Sequence, residues 1–547
     1  MTEYGIVDLF AGPGGLAEGF ASIRNEGGSR PFRIVLSVEK DESAFETLRL
    51  RSFVRQFNGN PPAEYYSFLS AEIPEPNWNL LFPDAWRAAC EETMRLELGS
   101  SRGIEQIDER LAHIVRAHRG NVILIGGPPC QAYSLVGRAR NKGTKGYDPS
   151  KDHRHFLYKE YIRILRKLMP AAFVMENVKG LLSSSVNGER VFDQVLDDLS
   201  RVGDGSYRLV PLAPRTRQNN LTNLGHPPAN DFVVRAEDHG IPQSRHRVII
   251  VGIRADIAGE LDDSQIVAGL LPKSKSLVKV RDLLRGMPKL RSGLSDRDDS
   301  DEAWQTEISR IVRNFSRMQT GLPEQDQRSF RTLAGSLVAK TSRISRRSSG
   351  SYVEVPSSCP NDLRCWLVDA RLRLFPNNET RGHMAADLRR YLFAALYSRI
   401  AGVSPKADSF PRELAPNHRN WRSGKFADRF RVQIWNAPAT TITSHISKDG
   451  HYFIHPDAAQ CRSLTVREAA RLQTFPDNYF FKGNRTQQFV QVGNAVPPFL
   501  AHKIALHLHR ILCATSEKRA KQRKFRNRPV ETTETIVVRN ETKVSFG

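Results

Sequence analysis

Asn121-Val122-Ile123-Leu124-Ile125-Gly126-Gly127-Pro128-Pro129-Cys130-Gln131 is the stretch on which the reading of the fold turns. Val122 to Ile125 form a short continuous apolar run with no polar alternation, which predicts a strand covered on both faces. Two glycines and two prolines stop that strand abruptly and leave Cys130 on a stiff loop at its carboxyl end. Open α/β sheets place their ligands at that edge. A cysteine buried inside an element is a small inert hydrophobe; the loop position opens a reactive role instead.

The same pattern repeats on either side. Residues 5–10 are a short apolar strand carrying Asp8, which runs into Ala11-Gly12-Pro13-Gly14-Gly15 and then a helix over 16–22. Residues 34–38 form the next strand and end in Glu39. Residues 74–120 read as a charged helical insertion that covers the sheet. Beyond Cys130, Leu157, Tyr161, Leu165 and Leu168 recur at helical spacing, Pro170 ends that helix, and 171–175 form a strand entering Glu176-Asn177-Val178. Residues 232–235 and 247–253 read as paired strands on either side of Gly240-Ile241-Pro242. Strands alternating with helices in this order predict a doubly wound α/β sheet.

The chain has 547 residues, enough for two or three domains, and its 39% hydrophobic content is globular. Lys and Arg total 81 against 59 acids, a formal charge of +22. Such a balance points to a polyanionic partner, with a generically basic surface as the alternative. Six scattered cysteines do not make a disulfide framework. Cys359 and Cys365, the nearest pair, lack zinc-ligand spacing, so no metal is assigned. No run of ~18 apolar residues exists, and the first strand starts too early for a signal peptide, so a cytoplasmic protein is expected.

From about residue 275 the character changes. Serine, arginine and proline become frequent and periodicity weakens through residues 345–350, which suggests a separate, irregular, loop-rich module. Near its end, 440–455 read as a hairpin. Regular structure returns over 464–472, a helix opened by Thr465 as N-cap with Glu468 three residues on, a capping box. Past Ser516 the chain carries Lys518, Arg519, Lys521, Arg523, Lys524, Arg526 and Arg528, and reads as a basic disordered tail. The expected division is therefore 1–274, 275–460, 461–515 and 516–547.

Two features suggest a bound ligand. The glycines of residues 11–15 let backbone approach a ligand closely, and the following helix N-terminus favours a negative group. Their Gly-x-Gly-Gly spacing is not the dinucleotide fingerprint. Glu39, at the end of the second strand, stands where an acid accepts two ribose hydroxyls. A tight turn and a surface carboxylate are the plain alternatives.

Taken together, the motifs resemble those of the DNA cytosine-5 methyltransferases. Asp8-Leu9-Phe10-Ala11-Gly12-Pro13-Gly14-Gly15 resembles their cofactor motif, Gly127-Pro128-Pro129-Cys130-Gln131-Ala132-Tyr133-Ser134 their nucleophile loop, and Glu176-Asn177-Val178 their acid motif. Gln243-Ser244-Arg245-His246-Arg247 is similar to their Gln-x-Arg-x-Arg segment. Residues 462–473 resemble the helix that braces the recognition domain, and Gly493-Asn494-Ala495-Val496-Pro497-Pro498 matches the final motif. All six stand in family order. The family's adenine-binding aspartate has no clear counterpart, and Glu72 in Ser70-Ala71-Glu72-Ile73 is the substitute proposed by position.

The resemblance implies a Rossmann-like sheet of the class I S-adenosylmethionine-dependent methyltransferases, with residues 275–460 as a smaller target-recognition domain. It implies S-adenosylmethionine as cofactor, held by Phe10, Ala11, Gly12, Gly14, Gly15, Leu16, Glu39, Glu72, Pro128, Asn494 and Val496. Cys130 would add to carbon 6 of cytosine, making carbon 5 nucleophilic enough to accept a methyl group. Glu176 would stabilise ring nitrogen 3, a role that a dry site favours. Arg245 and Arg247 would hold the carbonyl oxygen and the loop carrying Cys130. The base must leave the duplex first, and the basic loop with Arg138, Arg140, Lys142, Lys145, Lys151 and Arg154 would close on phosphates. Double-stranded DNA is the expected partner, bound by a monomer, in a bacterial restriction-modification or defence setting that leaves room for a nuclease or other subunits. Arg343, Arg346 and Arg347 are candidate readers of guanine edges. A tRNA cytosine-5 methyltransferase and a catalytically dead DNA-binding scaffold remain the alternatives.

Overall fold

The computed structural model describes residues 3–129, 156–186, 189–203, 207–213, 227–259, 271–341, 344, 352–416, 421 and 428–526. The elements that build its main sheet are, in chain order, β1 (Tyr4–Leu9), α1 (Gly15–Ala21), β2 (Phe32–Glu39), α2 (Glu42–Arg55), β3 (Thr93–Arg95), α3 (Ser101–His118), β4 (Val122–Gly126), α4 (Phe156–Leu168), β5 (Ala172–Val178), β6 (Tyr207–Val210), β7 (Val233–Arg235) and β8 (His246–Arg254). They pair in the order β3-β2-β1-β4-β5-β8-β6, with β7 also on β8. The first five are parallel; β8 runs antiparallel to β5, β6 and β7. The expected pairing of the strand after Phe232 with the strand from Arg247 is therefore present.

β3 is one of the elements the sequence reading missed, with α2 and β6. It lies inside the stretch expected to be helical, and only three residues pair, Ser37 with Thr93 through Glu39 with Arg95. The rest of that insertion is helical: Trp78–Leu81, Pro83–Glu92 and α3. α3 and α4 follow their apolar spacing, burying Ile107, Leu111 and Ile114 on one and Tyr161, Leu165 and Leu168 on the other.

The region after residue 290 is helical where loops were expected. α5 (Asp301–Phe315), α6 (Glu324–Gly335) and α7 (Ala385–Ala401) share their own core, with Trp304, Ile308, Ile311, Phe315, Phe330 and Tyr391 buried together. Ser300 caps α5 by accepting the Ala303 N–H at 3.0 Å. Residues 440–455 do not form the expected hairpin. Ala439–Thr440 instead runs parallel to Gln243–Ser244, and Ser444–Ser447 is a 3₁₀ turn. Tertiary pairing with Gln243–Ser244 replaces the local return.

Three helices complete the chain: α8 (Val466–Leu472), α9 (Arg485–Asn494) and α10 (Pro498–Arg526). The capping box opens α8 as expected: Thr465 Oγ1 accepts the Glu468 N–H and Glu468 Oε2 accepts the Thr465 N–H. α10 continues through residue 516, where a disordered tail was expected to begin. The sheet lies between two layers. Ile6, Ile123 and Ile125 pack with Leu16, Phe20, Ile504 and Leu508 on one face, and Val7, Leu9 and Leu124 face α3 and α4 on the other. No helix among the described residues is long and apolar enough to cross a membrane.

Candidate active site

The carboxyl ends of β1, β2, β4 and β5 meet on one edge, and several of the residues singled out in the sequence gather there. β1 ends in a loop that needs positive φ at Phe10 (56°), Gly12 (57°) and Gly14 (97°). The Ala11 N–H donates to Val38 O at 3.0 Å, so β2 supports the turn from outside. Gly12 donates its N–H to Glu39 Oε2 at 2.7 Å, while Glu39 Oε1 accepts the N–H groups of Lys40 and Asp41, both at 2.8 Å. Burial raises the Glu39 carboxyl above its ordinary range, and these three bonds act against that rise. A Cβ on Gly12 would meet nothing within 4 Å, so this loop faces open space. Gly15 faces the reverse situation: a Cβ there would lie 2.4 Å from Val496 O. Leu16, the next residue of α1, is buried in the core.

Across the edge, Glu176 stands near the end of strand β5 with its side chain only 14% exposed. Arg247 Nε lies 3.0 Å from Glu176 Oε1, and a Cβ on Gly127 would stand 3.1 Å from Glu176 Oε2. A side chain at Gly127 would press on that carboxylate. Asn177 fixes the same loop by donating Nδ2–H to Pro128 O at 3.1 Å. The expected acid, its arginine and the start of the nucleophile loop are thus in contact. Cys130 itself lies outside the described residues, as do the basic loop from Arg138 to Arg154 and Arg343, Arg346 and Arg347.

Arg245 does not join that cluster. It is 2% exposed, and its guanidinium donates to Ile442 O at 2.8 Å and Ala495 O at 3.0 Å, with Gly493 O at 3.5 Å. Burial pushes it well below its ordinary range, and the neighbouring charge of Arg247 adds to this. Arg245 therefore ties the final motif to the segment before Ser444. Gln243 and Gln473 extend this tie. Gln243 Nε2 donates to Gln473 Oε1 at 2.6 Å, Gln473 donates to Ala495 O at 2.7 Å, and Gln243 Oε1 accepts the Ile442 N–H at 2.9 Å. Asn494 ends α9 exposed, one residue from this network, and Val496 O sits against Gly15.

Glu72 is elsewhere. It is exposed, after the helix Ala63–Leu69, and pairs with Arg373 Nη1 at 2.7 Å. The acid that the sheet brings to the edge is Glu97. β3 ends at Arg95, the Leu96 N–H donates to Glu39 O at 3.0 Å, and Glu97 pairs with Lys40 Nζ at 2.5 Å. Glu97 thus stands beside Glu39, one strand over. Recognising the strand Thr93–Arg95 is the signal that finds it.

α8 braces the site through three buried arginines. Arg462, just before it, makes a bidentate pair with Glu468 at 2.7 Å and donates to Leu290 O at 2.9 Å. Arg467 donates to Pro376 O at 2.9 Å and to Tyr479 O. Arg471 pairs with Asp477 at 2.6 Å and donates to Leu283 O at 3.0 Å and Val353 O at 3.2 Å. Each reaches a different part of the chain between 283 and 376. Among the described residues no group of three or more His, Cys, Asp or Glu is placed to hold a metal ion.

Comparison with known proteins adds to this geometry. The family model of the C-5 cytosine-specific DNA methylases matches residues 101–510. The type II methyltransferase M.Bpa9945I of Bacillus paralicheniformis is 31% identical over 521 residues, spanning 91% of this chain and 97% of the relative. M.AgeI of Thalassovita gelatinovora, also a type II methyltransferase, is 26% identical over 524 residues, with the same coverage of each. The DNA (cytosine-5-)-methyltransferase M.ApeKI of Aeropyrum pernix is 24% identical over 429 residues, 72% of this chain and 82% of its own. A solved prophage-encoded protein of E. coli shares the fold at a TM-score of 0.50 and 19% identity, covering 93% of this chain and all of that one.

Proposed function

The chain belongs to the C-5 cytosine-specific DNA methylases, and from that premise we propose that it moves a methyl group from S-adenosylmethionine to carbon 5 of cytosine in a specific duplex sequence, through a covalent bond to Cys130. The observation that carries this reading is the cluster of Glu176, Arg247 and Gly127 on the same sheet edge as the glycine loop and Glu39.

The residues at that edge fit S-adenosylmethionine. The open space at Gly12 admits it, the Glu39 carboxylate beside the loop can accept its ribose hydroxyls, and Glu97 replaces Glu72 as the acid for its adenine end. Phe10, Ala11, Gly14, Leu16, Pro128, Asn494 and Val496 complete the surround. When bound, this cofactor supplies an electrophilic methyl group. The chain's own work is on the base. The Cys130 thiolate forms a bond to carbon 6, and the displaced electron pair gathers on nitrogen 3 and the adjoining ring atoms. The Glu176 carboxyl donates its proton to nitrogen 3, taking it back when the ring is restored, and Arg247 fixes that side chain's orientation from 3.0 Å. Arg245 acts at one remove, as a positioning residue that clamps the final motif. Once carbon 5 is methylated, water takes its proton, the electron pair restores the ring, and the bond to Cys130 breaks. The setting consistent with the type II relatives is modification within a restriction system, by a cytoplasmic, nucleoid-associated enzyme that binds DNA as a monomer.

A duplex containing 5-fluorocytosine tests the mechanism, since fluorine cannot leave as the proton does. The protein should form a complex that survives denaturation, and Cys130→Ala should form none. Undiminished trapping by Cys130→Ala, or methylation of tRNA in preference to duplex DNA, would overturn the reading.

A further inference from the structure

The catalytic reading leaves the basic stretch past Ser516 unused, and α10 leads toward it from the catalytic edge. α10 starts at Pro498, next to Val496 and the first turn of α1, and runs alongside α1. A Cβ on Gly19 would lie 2.4 Å from His502 N, and Ser22 Oγ meets His502 Nδ1 at 2.7 Å. Farther on, the His509 ring lies 5.6 Å from Phe32, the first residue of β2. The helix thus passes from the carboxyl ends of the strands to their amino ends. Ile511, Leu512 and Thr515 are buried along this stretch. The backbone stays helical to Arg526, and at about 1.5 Å per residue it extends roughly 25 Å past His509.

Residues 516–526 read Ser-Glu-Lys-Arg-Ala-Lys-Gln-Arg-Lys-Phe-Arg, six basic residues against one acid. Lys518 and Lys521, Arg519 and Arg523, and Lys521 and Lys524 occupy helix positions three or four apart, where like charges destabilise an isolated helix. The segment has too few apolar residues to form a buried face. A helix of this kind is stabilised by a polyanion alongside it, and its phosphate contacts would carry no sequence information.

We propose that residues 516–526 are a second DNA-binding element, which holds the phosphates of a duplex segment other than the one in the catalytic cleft. The choice of duplex DNA rests on the family reading above; the second segment follows from the opposite placement of helix end and catalytic edge. One molecule would then bridge two stretches of DNA.

The test starts from protein trapped on a short 5-fluorocytosine duplex, to which a labelled duplex lacking that site is added. In the comparison protein Lys518, Arg519, Lys521, Arg523, Lys524 and Arg526 are all replaced by Gln, which keeps helix propensity. A chain ending at Ser516 is a second variant, in case the first does not fold. The native protein should capture the second duplex, and both variants should bind it about tenfold more weakly or worse. The slope of log affinity on log salt should become shallower by about 0.9 for each phosphate that the variant no longer neutralises. Trapping on the short duplex should be unchanged, which separates failure of this proposal from failure of the catalytic reading. Equal capture by all three proteins overturns the proposal. So does preferential capture of structured RNA, or a loss of trapping in the variants, which would put the segment in the cleft.

Discussion

Replacing Asp477 by Asn should destabilise the protein far more than its near-identical shape suggests. Arg471 and Asp477 are both fully buried. Arg471 donates Nε–H to Oδ1 at 2.8 Å and Nη2–H to Oδ2 at 2.6 Å, and the Tyr352 hydroxyl donates to Oδ2 at 2.7 Å. An amide presents one oxygen and one NH₂, so whichever way it turns, donor faces donor and the guanidinium loses its counter-charge. Removing one partner of a buried ion pair costs about 3–5 kcal/mol. At about 2–4 °C per kcal/mol for domains of some 150–250 residues, Tm should fall by roughly 6–20 °C. Arg471 also holds Leu283 and Val353, so kcat/KM for DNA should drop alongside stability. Thermal unfolding with and without DNA, together with steady-state methylation, measures both. The double variant Arg471→Met, Asp477→Leu should recover much of the stability, because an apolar pair leaves no buried charge. A Tm for Asp477→Asn within about 2 °C of the native value would refute the reasoning.

Calorimetric titration of S-adenosylmethionine should distinguish the two acids proposed for its adenine end. Glu97→Gln should weaken binding about tenfold or more, the scale of one charge-assisted hydrogen bond, whereas Glu72→Gln should leave it unchanged; the opposite result would restore Glu72. Stability should also decline in acid. Burial and then the charge of Arg462 lower His455 to about 4 from its ordinary 6.5. The unfolded chain therefore binds that proton first, and the stability present above 6.5 is lost as pH falls toward 4. Burial works against ionised Glu468, but Arg462 and then His455 hold it at about 2, below its ordinary 4.5, so its contribution disappears between 4.5 and 2. Both effects have the same sign, and a Tm that stays level or rises between pH 6.5 and 4.5 would contradict them.

What the sequence disclosed was what is encoded locally. The strand before Gly126, the glycine loop and the Thr465–Glu468 box each depend on a few adjacent residues, and each stands where it was expected. The position of Glu97 was hidden because a three-residue edge strand has almost no pattern of its own; its pairing with Ser37–Glu39 makes it a strand. The helices after residue 290 did carry a signal, since Trp304, Ile308, Ile311 and Phe315 recur at helical spacing, but the surrounding serine and arginine obscured it. Arg245 read as catalytic from its motif. Its true surroundings, the carbonyls of Ile442, Gly493 and Ala495, lie some 200 residues or more along the chain and cannot be read from its neighbours.

The contact between the first glycine loop and the last motif bears on how the protein comes into being. Gly15 sits against Val496 O, the Tyr479 hydroxyl donates to Pro13 O, and Ser22 meets His502, 480 residues away. The loop expected to receive the cofactor leaves the ribosome some 480 residues ahead of the segment that supports it. At about 5–20 residues per second that gap is roughly 25–100 s. Through that interval the nascent chain has its glycine loop but not the surface that shapes it, so methylating activity would switch on only after residues 479–502 have been made. A chain cut short between Ser134 and Tyr479 would keep the glycine loop and the nucleophile loop and still lack the contacts that support the glycine loop.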